Sequence, residues 1–145
     1  MILDLKEKPA TGKKSDVESI LIVDDEVEFV SSVKRHLKRE GFFTDFALNG
    51  RSACVKMLAM EENRRLYDLV ITDVVMPEMD GLSLIKWIHE MFPRTSIMVV
   101  SEFMDFMHLE KKIRPELDDI GRKPMTPASM MQLICSIREK REKLS

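Results

Sequence analysis

The chain has 145 residues, 44% hydrophobic and 33% charged, with 23 basic against 25 acidic side chains and a formal net charge of −2. That length suits one domain with a proper core, and the near balance of charge gives no general reason to expect nucleic acid or an anionic membrane as a partner. No apolar run approaches the ~18 residues of a membrane span and the N-terminus has no signal-peptide core, so the chain reads as cytoplasmic.

Residues 1–16 are polar, with Pro9 and Gly12, and read as a flexible lead-in. "SILIVD" at 19–24 is a short apolar run suited to a strand buried on both faces. It runs straight into Asp24, Asp25 and Glu26. The next stretch carries Phe29, Val30, Val33 and Leu37 at helical spacing and stops at Gly41. "FFTDFA" alternates enough for a strand, and "NGRSACVKMLAMEEN" is helical with Ala53, Met57 and Leu58 inward. "YDLVIT" at 67–72 is a second buried strand, followed by the helical "LSLIKWIHEMF" and Pro93. "TSIMVVS" at 95–101 is a third, followed by the helical "EFMDFMHLEKKI" at 102–113 with Phe106, Leu109 and Ile113 on one stripe. "LDDIGRK" at 117–123 reads as a short strand. A last helix opens with Thr126 as N-cap and Pro127 in its first turn.

Five strand–helix alternations predict a parallel sheet with helices on both faces. In such a sheet ligands bind beyond the carboxyl ends of the strands. Four loops meet there: "DDE", "DVVMPEMDG", "SE" and "KP". Like-charged carboxylates at ~5 Å and an effective dielectric of ~20 cost roughly 3 kcal/mol per pair, so converging acids need an offset. A hard divalent cation such as Mg²⁺ takes oxygen ligands, and Lys123 brings an ammonium. With the Ser101 hydroxyl they make a phosphoryl-handling set in which a carboxylate can be the nucleophile.

With those loops in place, the sequence resembles the response-regulator receiver domain of two-component signalling. The resemblance covers about Glu18 to Arg141 and rests on "LIVDDE", "LVITDVVMPEMDGL", "MVVSE" and "GRKPMTP", in that order. It implies a flavodoxin-like α/β fold, a doubly wound five-stranded parallel sheet with strand order 2-1-3-4-5. It implies Asp73 as phosphoacceptor, and a Mg²⁺ site made by Asp24, Asp25, Asp73 and the backbone carbonyl of Val75. Ser101 matches the switch hydroxyl. Lys123 matches the family lysine, with a cis bond to Pro124, and Pro77 and Gly81 match the loop that shapes the pocket. The implied partners are a sensor histidine kinase or phosphotransfer protein, with no direct nucleic-acid contact. A homodimer is possible through the face of the helix at 102–113, the strand at 117–123 and the last helix. The implied activity is the domain's own phosphoryl transfer and hydrolysis, without an external substrate. The receiver unit is set at 17–141, with 142–145 a tail or the start of a linker.

The pattern departs from the family at Ile120, where Tyr or Phe is usual. Val75 and Phe103 flank the implied path of the attacking water and cannot orient it, so slow self-hydrolysis is expected. Met104, Met107, Met125, Met130 and Met131 suit an adaptable binding face, or else pack together over Ile120. Several residues read as structural. Glu26 is a solvated acid at a helix N-terminus, Asp80 caps the third helix, and Trp87 packs on the core. Cys54 and Cys135 read as buried free thiols, and His36, His89 and His108 as surface or boundary residues. "REKREK" at 138–143 reads as a solvated helix face. Two other functions compete. One is a pseudo-receiver that binds partners without phosphorylation. The other is a haloacid-dehalogenase-type phosphatase, whose Asp-x-Asp motif "DDEVE" lacks.

Overall fold

The structure, a computed structural model, describes residues 17–74, 76, 79–102 and 118–144. In chain order the elements are β1 (Ser19–Val23), α1 (Val27–Arg39), β2 (Phe43–Ala47), α2 (Gly50–Glu62), β3 (Leu69–Thr72), α3 (Gly81–Met91), β4 (Ser96–Ser101), β5 (Asp119–Arg122) and α4 (Pro127–Leu144). The five strands form one parallel sheet in the order β2-β1-β3-β4-β5. The expected doubly wound, flavodoxin-like arrangement is what the chain adopts.

β1, β3 and β4 are buried at every position. The period-two geometry of a strand sorts their side chains into two cores. Leu21, Val23, Val70, Ile97 and Val99 face Ala53 and Met57 of α2 and Leu84, Ile85 and Ile88 of α3. Ile20, Ile22, Leu69, Ile71, Met98 and Val100 face Val30 and Leu37 of α1 and Met130, Ile134 and Ile137 of α4. The chain leaves β1 for the edge strand β2, then returns past β1 to β3. The carboxyl ends of β1 and β3 therefore border the crevice at the reversal of strand order.

Local signals explain where the helices stop and start. Gly41 has φ +94° and ends α1, with the Phe42 N–H donating to Leu37 O and the Gly41 N–H to Lys38 O, a Schellman closure. Asn49 caps α2 by accepting from the Ser52 N–H at 2.8 Å, and Asp80 caps α3 by accepting from the Ser83 N–H at 2.8 Å. Thr126 accepts from the Ser129 N–H at 3.1 Å at the start of α4.

Four sequence readings need correction. Leu58 is exposed, because α2 lays only a narrow stripe, Gly50, Ala53 and Met57, on the sheet. Cys135 is exposed, since Met130, Ile134 and Ile137 take the inward face of α4. Cys54 is only half-buried, its thiol 3.7 Å from the Met79 sulfur. The 138–143 run is not merely solvated. Arg141 Nη1 donates to Arg94 O and to Ser96 Oγ at 2.8 Å each, and Arg138 donates to Val17 O at 3.1 Å. These arginines fasten α4, which continues to Leu144, to the amino-terminal edge of the sheet. Trp87 packs against the core edge-on to Phe92, with ring centroids 5.4 Å apart, as expected. Residues 1–16, positions 103–113 of the helix expected at 102–113, with Phe103, Met104, Met107 and His108, and Val75 and Pro77 lie outside the described residues.

Candidate functional site

Asp24, Asp73 and Lys123 each sit one step past a strand end, held there by a backbone bond that prolongs the sheet. The Asp24 N–H donates to Ala47 O at 3.1 Å, the Asp73 N–H to Val23 O at 2.9 Å, and the Lys123 N–H to Ser101 O at 2.9 Å. The return loop after Asp73 closes with the Gly81 N–H on Val74 O at 2.8 Å. A Cβ at Gly81 would stand 2.3 Å from Asp73 O and 2.5 Å from Val74 Cα, so only glycine allows this approach. The Lys123–Pro124 peptide bond is cis.

Oxygens of Asp24, Asp25 and Asp73 lie within 4.8 Å of one another. Asp24 and Asp73 are buried, and Asp25 is exposed. The Lys123 Nζ reaches into this group. It donates to Asp24 Oδ2 at 2.8 Å, to Asp73 Oδ2 at 3.2 Å and to Glu26 Oε1 at 2.7 Å. The other oxygens are also used. Asp24 Oδ1 accepts from the Glu26 N–H at 2.9 Å, and Asp73 Oδ1 from the Val74 N–H at 2.6 Å. The Phe29 ring lies under the ammonium, its centroid 4.8 Å from Nζ.

Burial pushes the Asp24 carboxyl above its ordinary pKa, against the pull of Lys123 and the Glu26 N–H, and the charge of Asp73 pushes the same way. Burial acts to lower the Lys123 pKa, but the bonds to Asp24 and Glu26 and the charges of Asp24 and Asp73 outweigh it and hold the ammonium charged. One ammonium thus answers four nearby carboxylates and leaves the pocket strongly negative. Ser101 ends β4 fully buried, and among the described residues its Oγ has no hydrogen-bond partner.

The structure brings Asp24, Asp25, Asp73 and Lys123 into one pocket and places Ser101 beside it at the end of β4. Sequence reasoning missed Glu26 and Phe29 as neighbours of the lysine. Glu26 does not cap α1 with its side chain but turns to Lys123. Its place in the loop after β1 was the available signal. Three hard oxygen donors, one of them open to solvent, fit a Mg²⁺ ion. The fourth expected ligand, the carbonyl of Val75, lies outside the described residues.

A sequence-family model, the response regulator receiver domain, matches residues 20–135. The chain belongs to this family. As a receiver domain it is a signalling module of two-component systems, a class that is generally non-enzymatic, with kinases as the partners the family implies. The transcriptional regulatory protein CitT of Bacillus subtilis is 26% identical over 125 residues, 86% of this chain and 54% of that protein. ResD, a transcriptional regulatory protein of the same organism, is 30% identical over 112 residues, 77% of this chain and 44% of that one. The receiver chain thus spans about half the length of these curated relatives. Among solved structures, a receiver domain protein (CheY-like) of Methanospirillum hungatei superposes with a TM-score of 0.78 at 22% identity, covering 90% of this chain and 100% of that one. The receiver domain of AraT from Geobacillus stearothermophilus gives 0.74 at 27% identity, covering 88% and 98%. Among the described residues, no helix is long and apolar enough to cross a membrane.

Proposed function

We propose that Asp73 accepts a phosphoryl group from a sensor histidine kinase or a phosphotransfer protein. The observation that carries this is the convergence of Asp24, Asp25 and Asp73 within 4.8 Å, with the Lys123 ammonium on two of them. Asp24, Asp25 and Asp73 would hold Mg²⁺, with Val75 as a further ligand. When bound, the ion neutralises the acids and the charge that builds on the phosphoryl oxygens. Asp73 supplies the attacking carboxylate oxygen, and its Val74 N–H partner fixes that carboxylate's orientation. Lys123 stays protonated and binds a phosphoryl oxygen. The buried Ser101 Oγ, without a partner among the described residues, is a donor to which a phosphoryl oxygen on Asp73 would offer an acceptor. No activity beyond the domain's own phosphoryl transfer and hydrolysis is required, in a cytoplasmic protein whose receiver unit spans 17–141.

The output face is read as β5 and α4 together with the helix expected at 102–113, and a phosphorylation-dependent dimer through it belongs to this proposal. The relatives named as transcriptional regulators suggest a transcriptional output, passed through protein contacts.

The test is a phosphate-affinity gel shift after acetyl phosphate and Mg²⁺. Wild type should shift, Asp73→Asn should not, and a shift of equal size in both would move the acceptor elsewhere. No shift in wild type would favour the phosphorylation-independent reading.

A further inference from the structure

Lys123 has three N–H donors, and the three carboxylates around it take one each, at 2.8 Å from Asp24, 2.7 Å from Glu26 and 3.2 Å from Asp73. No donor is left over for a phosphoryl oxygen. One of these bonds must therefore open before the lysine can serve the transferred group. Asp24 and Asp73 are buried and hold backbone N–H groups through their second oxygens. The Glu26 side chain differs on both counts. It is 59% exposed, and its contact with Lys123 is the one hydrogen bond that it makes among the described residues.

We infer that Glu26 is a positioning residue for phosphoryl transfer: its carboxylate holds the Lys123 ammonium at the pocket mouth in the resting domain and is displaced by the incoming phosphoryl group. The inference rests on the reading of Asp73 as phosphoacceptor. In the transfer, an Asp73 carboxylate oxygen forms the new O–P bond as the donor's bond to phosphorus breaks. With acetyl phosphate the leaving acetate keeps that bond's electron pair. No proton moves, and Lys123 exchanges one N–H···O contact, from Glu26 to a phosphoryl oxygen. Release of Glu26 is cheap because water takes over its exposed carboxylate. While in place, Glu26 competes for the lysine and sets a negative charge in the path of an anionic donor. It therefore slows loading and weakens retention of the phosphoryl group at the same time.

Glu26→Gln removes the charge at nearly constant shape. It should label with acetyl phosphate roughly two- to fivefold faster than wild type, the range expected when one ion-pair contact to a solvent-exposed carboxylate is lost. Affinity for beryllofluoride in Mg²⁺, measured by calorimetry, should tighten by a similar factor, a readout that needs no turnover. Glu26→Asp keeps the charge and should fall between wild type and Glu26→Gln. The gain should shrink as salt rises, because the Glu26 carboxylate is exposed. A purely structural Glu26 would move melting temperature but not the order of these variants. Labelling of Glu26→Gln at or below the wild-type rate, or unchanged beryllofluoride affinity, would overturn the inference while leaving Asp73 as acceptor. Failure of wild type to label would instead overturn the acceptor reading, and this inference with it.

Discussion

Lys123 is where most of the pocket's electrostatics meet. Its side chain is 6% exposed, and it neutralises two acids that are themselves nearly inaccessible. Removing one partner of a buried charged set commonly costs ~3–5 kcal/mol, because the others stay buried and unanswered. Lys123→Met should therefore lower the melting temperature of the metal-free domain markedly. The same ammonium competes with a cation for Asp24 and Asp73, so Mg²⁺ should bind Lys123→Met more tightly than wild type. Calorimetry and thermal melts with and without the metal check both halves. A weaker Mg²⁺ isotherm in the variant would mean that the lysine helps to assemble the metal site.

Asp45 offers a second test at this scale, outside the acidic pocket. Burial acts to raise its pKa, but the bonds from Lys56, the Phe46 N–H and the Tyr67 hydroxyl bring it below the ordinary carboxylate value. A depressed folded pKa adds stability that is present above the unfolded value near ~4 and is lost as pH falls through the folded one. Asp45→Asn should be less stable than wild type at pH 7, and the gap should narrow as pH drops below about 4. Urea denaturation at the two pH values measures it, and a gap that widens on acidification would contradict the assignment.

Elements were legible to different degrees, for physical reasons. β1, β3 and β4 are buried on both faces, so each is a solid apolar run that hardly any other structure would produce. β5 is four residues long and only Gly121 in it is buried, so its own pattern was faint. The turn chemistry of Gly41, Asp80 and Thr126 was readable because each acts on its own neighbours. What stayed hidden depended on rotamers and on distant partners. Glu26 could have capped α1, and only the position of Lys123, across the sheet's far strand, decides that it does not. Likewise, Arg138 and Arg141 looked like solvent charges until the loops they bind came beneath them. The family motifs identified the acids and the lysine but did not reveal which carboxylate the lysine grips most closely.

Gly81 carries the sharpest prediction at the element scale. The start of α3 presses against the backbone of Asp73, and a Cβ there would overlap it. Gly81→Ala should cost about 1–3 kcal/mol by overpacking and should also displace the Asp73 loop. Acetyl phosphate labelling should then fall by more than the loss of folded protein accounts for. Labelling that simply tracks the folded fraction would show that the loop absorbs the methyl group elsewhere.

For the whole molecule, the pocket gathers three carboxylates at a cost in folding stability. Mg²⁺ at 100 times its dissociation constant should add ~2.7 kcal/mol. Asp25 is exposed yet adjoins the other two acids. Asp25→Asn should therefore raise the melting temperature of the metal-free domain and reduce the increment that Mg²⁺ brings. A metal-free melting temperature at or below wild type would count against repulsion within the pocket.

The sheet acts as a bulkhead between two sealed compartments, because successive strand residues feed opposite cores. Ile88 lies in one compartment and Ile134 in the other. Trimming either to valine should cost about 0.5–1.5 kcal/mol, and the two costs should add in the double variant, since among the described residues the two clusters share no member. The acidic pocket of Asp24, Asp25 and Asp73 sits on the rim of the bulkhead, where the two compartments share a border.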